Sequence, residues 1–169
     1  MTVAAHEPRS LPRAALAGLL ATLAMDLSAR TTIAPALGVE ALCRQSLGRW
    51  VGHMRHGRFR HPDIATAPAV AREAVIGSLT HYAIGLTLGT GYGLLLRAGR
   101  ARRSSIPLAL AYGTATTGFS WLLMFPATGK GLLGRRANPK LAALSLGNHL
   151  VFGLALGAAI ARSAASTET

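Results

Sequence analysis

Three ionisable residues sit inside long apolar runs: Asp26 in "ATLAMDLS", His81 in "SLTHYAIG" and His149 in "LGNHLVFG". Such groups are costly in hydrocarbon, and those that persist face a bundle interior, pair with one another, or handle protons, ions or ligands. An imidazole titrates near neutral pH and its nitrogens are good metal ligands, so the set could relay protons or coordinate a cation. His81 and His149, on separate helices, could also ligate a haem from both sides, with nearby arginines for its propionates. The plainer alternative has each histidine bonding a hydroxyl on the next helix and Asp26 pairing with Arg30 one turn away.

Whether the three residues can meet depends on the helices that carry them. Four segments, at about 14–37, 74–96, 106–125 and 141–161, are long and apolar enough to span a hydrocarbon core of about 30 Å. At about 1.5 Å of rise per residue, Asp26 lies about 18 Å from the face where its span begins, and His81 and His149 lie about 18–20 Å from the same face. All three fall in one layer, with the hydroxyls of Thr114, Thr116, Thr117 and Ser120 and the amide of Asn148 near the same depth.

Composition supports a membrane setting. Half of the 169 residues are apolar and 14% are charged, against roughly 25% charged in an average soluble protein. Lys and Arg number 18 against 6 Asp and Glu, and this positive charge lies in the connections between apolar runs. Lipid headgroups account for it there, so no nucleic-acid partner is expected. A cleaved signal peptide is disfavoured by the length of the first run and by Asp26 within it. The first and third connections carry more Lys and Arg than the opposite face, but the cluster "RAGRARR" sits at two span ends and pulls the other way, so sidedness stays open. The single Cys43 cannot form an internal disulfide, and the polar tail "SAASTET" at 163–169 is expected to be disordered.

Glycines mark how the spans meet. Gly85, Gly89 and Gly93 recur every four residues on the second span, as do Gly153 and Gly157 on the fourth. Small residues at that spacing open a groove for a second backbone, which predicts an all-α, integral membrane four-helix bundle. The same stripes could serve a homo-oligomer or another membrane partner.

The connection at 38–73 holds "GRWVGHMRHGRFRHPDI", with Trp50 and Phe59 among its arginines. Rings at headgroup depth and guanidiniums on phosphates suit a re-entrant or interfacial loop. His53, His56, His61 and Asp63 are potential metal ligands, but no pair has the spacing of a zinc motif.

The blocks "ATLAMDL", "GRWVGHMRHGRFRHPDIATAPAVARE", "THYAIG" and "FPATGKGLLGRRANPKLAALSLGNHLVFGLALG" resemble the successive motifs of the bacterial membrane family catalogued as domain of unknown function 2938. The resemblance runs over nearly the whole chain. It implies a multi-pass, four-span protein of the bacterial inner membrane with no assigned activity, and its recurrent positions include Asp26, Arg49, Trp50, His61, Glu73, His81, Tyr82 and His149. Phe125 and Ser78 depart from it, standing where the family tends to have glutamine and tryptophan. It also gives weight to a loop of Arg49, Trp50 and His61 folding back, with Glu73 at the mouth of the next helix, to cap the buried layer.

The expectation is therefore a buried site of Asp26, His81, His149 and Glu73 that binds or conducts a proton, a cation or another small solute. Two rivals stand beside it: a membrane-embedded enzyme using a metal or haem at His81 and His149, and a non-catalytic accessory or assembly subunit in which the polar layer fixes packing. No nucleophile elbow, phosphate-binding glycine loop or zinc-protease motif is present, so an enzyme would rest on the buried layer alone.

Overall fold

The computed structural model describes residues 10–39, 44–98 and 105–165. Arg9, Cys43, most of the basic cluster at 97–105 and residues 166–169 of the tail lie outside these. The described residues form five main helices: α1 (Leu11–Leu37), α2 (Arg44–Met54), α3 (Glu73–Ala98), α4 (Ile106–Ala127) and α5 (Lys140–Ala165). No strand occurs among them. The 38–73 connection, expected as a loop, thus contains a helix of its own, and the last helix continues through Ala165 into the expected tail.

The start of each half follows one plan. Ser10 caps α1 by accepting from the Arg13 N–H, with Pro12 in the first turn, and Ser105 caps α4 by accepting from the Leu108 N–H, with Pro107 in the first turn. A hydroxyl at the N-cap satisfies an otherwise orphaned amide, and a proline there sacrifices no helical hydrogen bond.

Prolines also mark the ends of α1 and α4. The sequence reading stops the third span at Phe125 because of Pro126, yet α4 continues through Pro126 to Ala127. A proline lacks an N–H and its ring crowds the carbonyl four residues earlier. Those carbonyls belong to Thr31 for Pro35 and Leu122 for Pro126, and both fall in π-helical turns, Ala29–Ile33 and Ser120–Met124. The widened turn absorbs the proline, so each helix bends rather than ends.

These parallels extend into the helix interiors. "HYAIGLTLG" at 81–89 in α3 and "HLVFGLALG" at 149–157 in α5 share a histidine, two glycines and two leucines at identical spacing. Each packs on a glycine of its partner helix: a Cβ at Gly18 of α1 would lie 2.8 Å from the Gly89 Cα, and one at Gly113 of α4 would lie 3.1 Å from the Gly153 Cα. One turn on, Thr22 and Thr117 both bond back to the carbonyl of that glycine, at 2.8 and 3.3 Å. The chain is thus built from two similar helix pairs, α1 with α3 and α4 with α5, with α2 inserted into the first.

The pairs join through α1 against α5, over a core that includes Ala21, Tyr92, Phe152 and Leu156. The Tyr112 hydroxyl donates to the Leu88 carbonyl at 2.7 Å, tying α4 to α3. Gly85, Gly89, Gly93 and Gly153 all meet other helices of this same chain. Leucines at 16, 20, 23 and 27 of α1 point outward, as do Leu79, Ile106 and Leu122. A rim this apolar suits lipid rather than water.

Three helices, Leu11–Leu37, Ile106–Ala127 and Lys140–Arg162, are long and apolar enough to cross a membrane. The expected four-span count is thus met by three. The helix α3 has the length, 26 residues, but its glycines, threonines and His81 dilute its apolarity, because its inner face is given over to close packing and to the buried polar layer.

Candidate functional site

Asp26 lies near the middle of α1, three residues before the π-helical turn. Three side chains converge on its carboxylate: Arg44 from α2 through Nη2, His81 Nε2 at 3.2 Å and the Tyr82 hydroxyl at 3.0 Å, both from α3. The Arg44 guanidinium also lies 5.4 Å from the centre of the Tyr82 ring, a cation–π contact. Asp26, Arg44 and His81 side chains keep only 19%, 17% and 22% of their exposure. A charge this sheltered is tolerable when it is paired and hydrogen-bonded, and both carboxylate oxygens are. Arg30, named as the partner of Asp26 in the plainer sequence reading, is not among these three residues. Arg44 takes that role from the far side of the connection.

The network opens onto a cavity of about 130 Å³ lined by all five helices. From α1 come Thr22, Met25, Asp26 and Arg30; from α2, Arg44, Ser46 and Leu47. The helix α3 adds His81, Ile84 and Leu88, α4 adds Phe119, Ser120 and Met124, and α5 adds Ser145, Asn148, His149 and Phe152. Thr128 and Lys130 line it from the turn after α4. Asp26, His81 and His149 therefore share one cavity, at the junction of the two helix pairs. His149 Nδ1 donates to the Ser145 carbonyl at 2.7 Å, which leaves its Nε2 as the acceptor in the neutral ring.

Three lining residues carry a buried polar atom without a hydrogen-bond partner: Arg44 Nη1, Ser145 Oγ and Asn148 Oδ1. Orphaned groups of this kind cost roughly 1–3 kcal/mol each, and a native structure keeps few of them.

Glu73 is not in this cavity. It stands at the first position of α3 and receives the Arg49 guanidinium through two hydrogen bonds, Nε to Oε2 at 2.8 Å and Nη2 to Oε1 at 2.7 Å. It also accepts from the Val70 N–H at 3.1 Å. The Arg49 and Val70 hydrogen bonds hold its carboxyl down at about 2. Arg49 Nη1 meanwhile binds the carbonyls of Ile64, Ala65 and Ala67 at 3.2, 2.8 and 3.1 Å. One side chain therefore gathers the loop that precedes α3.

The remaining loop residues stitch that fold-back to α4. Trp50 is buried and donates from Nε1 to the Phe59 carbonyl at 2.9 Å. His61 faces His53 across a 2.7 Å hydrogen bond between ring nitrogens. Burial, with His53 and Arg58 nearby, pushes the His61 pKa below its ordinary value. The His61 and Ile64 amides donate to the Ala127 and Thr128 carbonyls at 2.8 and 3.1 Å, at the end of α4. There Gly129 has φ +86°, and a Cβ on it would strike the Pro62 carbonyl, so the turn needs glycine on both counts. Arg49 and Trp50 are on α2 itself, but neither they nor His61 line the cavity, which α2 reaches through Arg44, Ser46 and Leu47.

Among the described residues, no three His, Cys, Asp or Glu side chains come within reach of one metal ion. A cavity of about 130 Å³ is close to one of about 150 Å³ that admits benzene. It suits a solute of that size rather than a macrocycle.

The family model for proteins of unknown function DUF2938 matches residues 15–161. The chain belongs to this family. The match takes in α2, α3 and α4, most of α1 and α5, and the whole lining of the cavity. No curated protein and no solved structure matches the chain.

Of the residues lining the cavity of this DUF2938 chain, the sequence reading names Asp26, His81 and His149 as candidates and does not name Arg44, Ser145 or Lys130. Arg44 lies outside every apolar run, so depth within a span could not flag it. Ser145 was open to the depth argument, since it precedes His149 by one turn on α5.

Proposed function

We propose that this DUF2938 protein is a multi-pass protein of the bacterial inner membrane that binds a small solute in the cavity between its two helix pairs. On this reading α3 is the fourth span, running from about residue 74, and the 44–73 segment covers one mouth of the cavity. The observation that carries the proposal is the cavity itself. It is lined by five helices, mostly apolar, with a few polar groups that converge from different elements, which is the usual make-up of a small-molecule site.

A solute fits better than a bare cation. The acid on the lining, Asp26, is already engaged by Arg44, His81 and Tyr82, while Arg30, Arg44 and Lys130 add positive charge around the same space. In a low-dielectric interior that balance repels metal cations. The enzyme reading has less behind it, because among the described residues no three His, Cys, Asp or Glu side chains come within reach of one metal ion.

The test uses four-carbon probes that differ only in their head group: butyrate, butylammonium, butyramide and butanol. Purified full-length protein in mild detergent is melted with each. A ligand that binds only the folded state raises the melting temperature with concentration. The expected result is a rise with at least one probe that disappears in Ser120→Trp, where the indole fills the cavity. No rise with any probe, or a rise that survives in Ser120→Trp, overturns the proposal.

A further inference from the structure

We infer that the cavity is built for a small monocarboxylate with a short apolar tail, held between Arg44 on α2 and Ser145 with Asn148 on α5. This inference rests on the solute-binding reading and specifies the solute.

The first observation is which polar atoms lack partners. Ser145 is fully buried and Asn148 is 6% exposed, yet Ser145 Oγ and Asn148 Oδ1 are orphaned, as is Arg44 Nη1. All three residues line the same cavity, Arg44 from α2 and Ser145 and Asn148 from α5. The Arg44 Nη2 is committed to Asp26, so the guanidinium has one terminal nitrogen engaged and one to offer. A planar guanidinium facing one carboxylate with one nitrogen is poised to accept a second carboxylate on the other, since its fork presents donors in both directions. Ser145 adds a hydroxyl donor. The Asn148 amide supplies a donor too, because its oxygen and nitrogen are interchangeable by a flip that nothing bonded to Oδ1 opposes.

The second observation is charge. Arg30, Arg44 and Lys130 border the cavity with Asp26 as the opposing acid. Two arginines and a lysine against one acid leave a positive surplus. An anionic head group is therefore favoured and an ammonium disfavoured.

The third is the shape of what remains. Met25, Leu88, Met124 and Phe152 form an apolar wall, which suits a hydrocarbon tail and gives phosphate or sulfate nothing to meet. With about 130 Å³ available, the tail is limited to a few carbons. A long-chain fatty acid would have to leave most of its chain outside.

Direct binding by calorimetry to the purified full-length protein decides the matter. Butyrate should bind about tenfold or more tightly than butyramide, and butylammonium should not bind. Arg44→Gln should lose butyrate, but it strips Asp26 of a partner and could unfold. Ser145→Ala and Asn148→Leu avoid that difficulty, because Ser145 Oγ and Asn148 Oδ1 make no bond within the chain. Each should keep the wild-type melting temperature and weaken butyrate by about tenfold. Equal or tighter binding of butyramide or butylammonium overturns the carboxylate assignment while leaving the solute site standing. Unchanged butyrate affinity in both folded variants overturns the location. Absence of binding by all probes removes the site and the inference together. Oleate binding in place of butyrate would assign the site to membrane lipid and overturn the short-tail assignment.

Discussion

Arg49 and Glu73 meet through two hydrogen bonds of 2.8 and 2.7 Å, and the same guanidinium holds three carbonyls of the loop between them. The pair clamps α2 to the start of α3, where the backbones already touch: a Cβ at Gly48 would collide with the Glu73 carbonyl. Both side chains keep under a fifth of their exposure. Removing one partner of such a pair leaves a sheltered charge alone and three carbonyls unmet. Arg49→Ala should cost about 3 kcal/mol of stability, and Arg49→Lys should recover only part, since an ammonium cannot reproduce the fork. Unfolding in mixed detergent micelles measures both, and equal stability of Arg49→Lys and wild type would show that charge alone suffices.

Acid should loosen this same cap in two stages. His61 has its pKa lowered in the fold, so the unfolded chain takes up its proton first, and stability falls as the pH drops below about 6.5. The 2.7 Å contact with His53 also requires one ring nitrogen to accept, which double protonation forbids. Glu73 acts lower: with a folded value of about 2 against an ordinary 4.5, its contribution is complete above pH 4.5 and is lost between there and about 2. Melting temperature against pH should thus decline in two steps. His61→Gln should erase the upper step and Glu73→Gln the lower one. A single step common to wild type and both variants would place the titration elsewhere.

How much of this could be read beforehand depends on the kind of interaction. Asp26, His81 and His149 were legible because an ionisable group in an apolar run has few explanations and helical rise fixes its depth. The pairings were not. Nothing in spacing says that Arg44 reaches Asp26, because the loop between α1 and α2 sets that approach. Nor could spacing separate Glu73 from the buried layer, since one helical turn decides whether a residue at a span's mouth faces inward or toward the loop. Pro126 places the end of the third span at Phe125 on sequence grounds, because proline usually ends a helix, and the π-helical turn that carries α4 past it has no sequence signature. The repeat of "HYAIGLTLG" in "HLVFGLALG" was present in the letters, but became meaningful once Gly18 and Gly113 were seen facing the two copies.

Asp26 and Arg44 should behave as one unit. Asp26→Asn leaves Arg44 sheltered and uncompensated, and Arg44→Gln leaves Asp26 with only His81 and Tyr82, so each single change should cost about 3 kcal/mol. The double variant removes both charges and should be less destabilised than the sum of the singles by at least about 1 kcal/mol. Strict additivity in detergent unfolding would mean that the two side chains do not meet in solution.

Chelation should leave the protein unchanged. Asp26 is surrounded by donors, and among the described residues no third His, Cys, Asp or Glu side chain completes a metal site with His81 and His149. Treatment with EDTA is therefore expected to leave the melting temperature and probe binding as they were. Elemental analysis should give far less than one transition metal per chain. Stoichiometric zinc, iron or copper that vanishes in both His81→Ala and His149→Ala would return the metal reading to the front.

Three glycines in the two helix pairs separate contact from coincidence. At Gly18 a Cβ would meet the Gly85 carbonyl and the Gly89 Cα, and at Gly113 it would meet the His149 carbonyl and the Gly153 Cα, whereas at Gly118, one turn further along α4, nothing lies within 4 Å. Backbone cannot step aside as a side chain can, so Gly18→Ala and Gly113→Ala each force a helix pair apart at a cost of about 1–3 kcal/mol. Gly118→Ala should be neutral or stabilise by up to about 1 kcal/mol, because alanine is the better helix former. The two contact substitutions should also weaken any ligand held in the cavity, since Asp26 and His81 belong to one pair and Ser145 and Asn148 to the other. Unfolding and probe titration of the three variants check this together. Similar losses at Gly118 and Gly18 would mean that glycine lowers rigidity throughout these helices, rather than admitting a neighbour at two defined crossings.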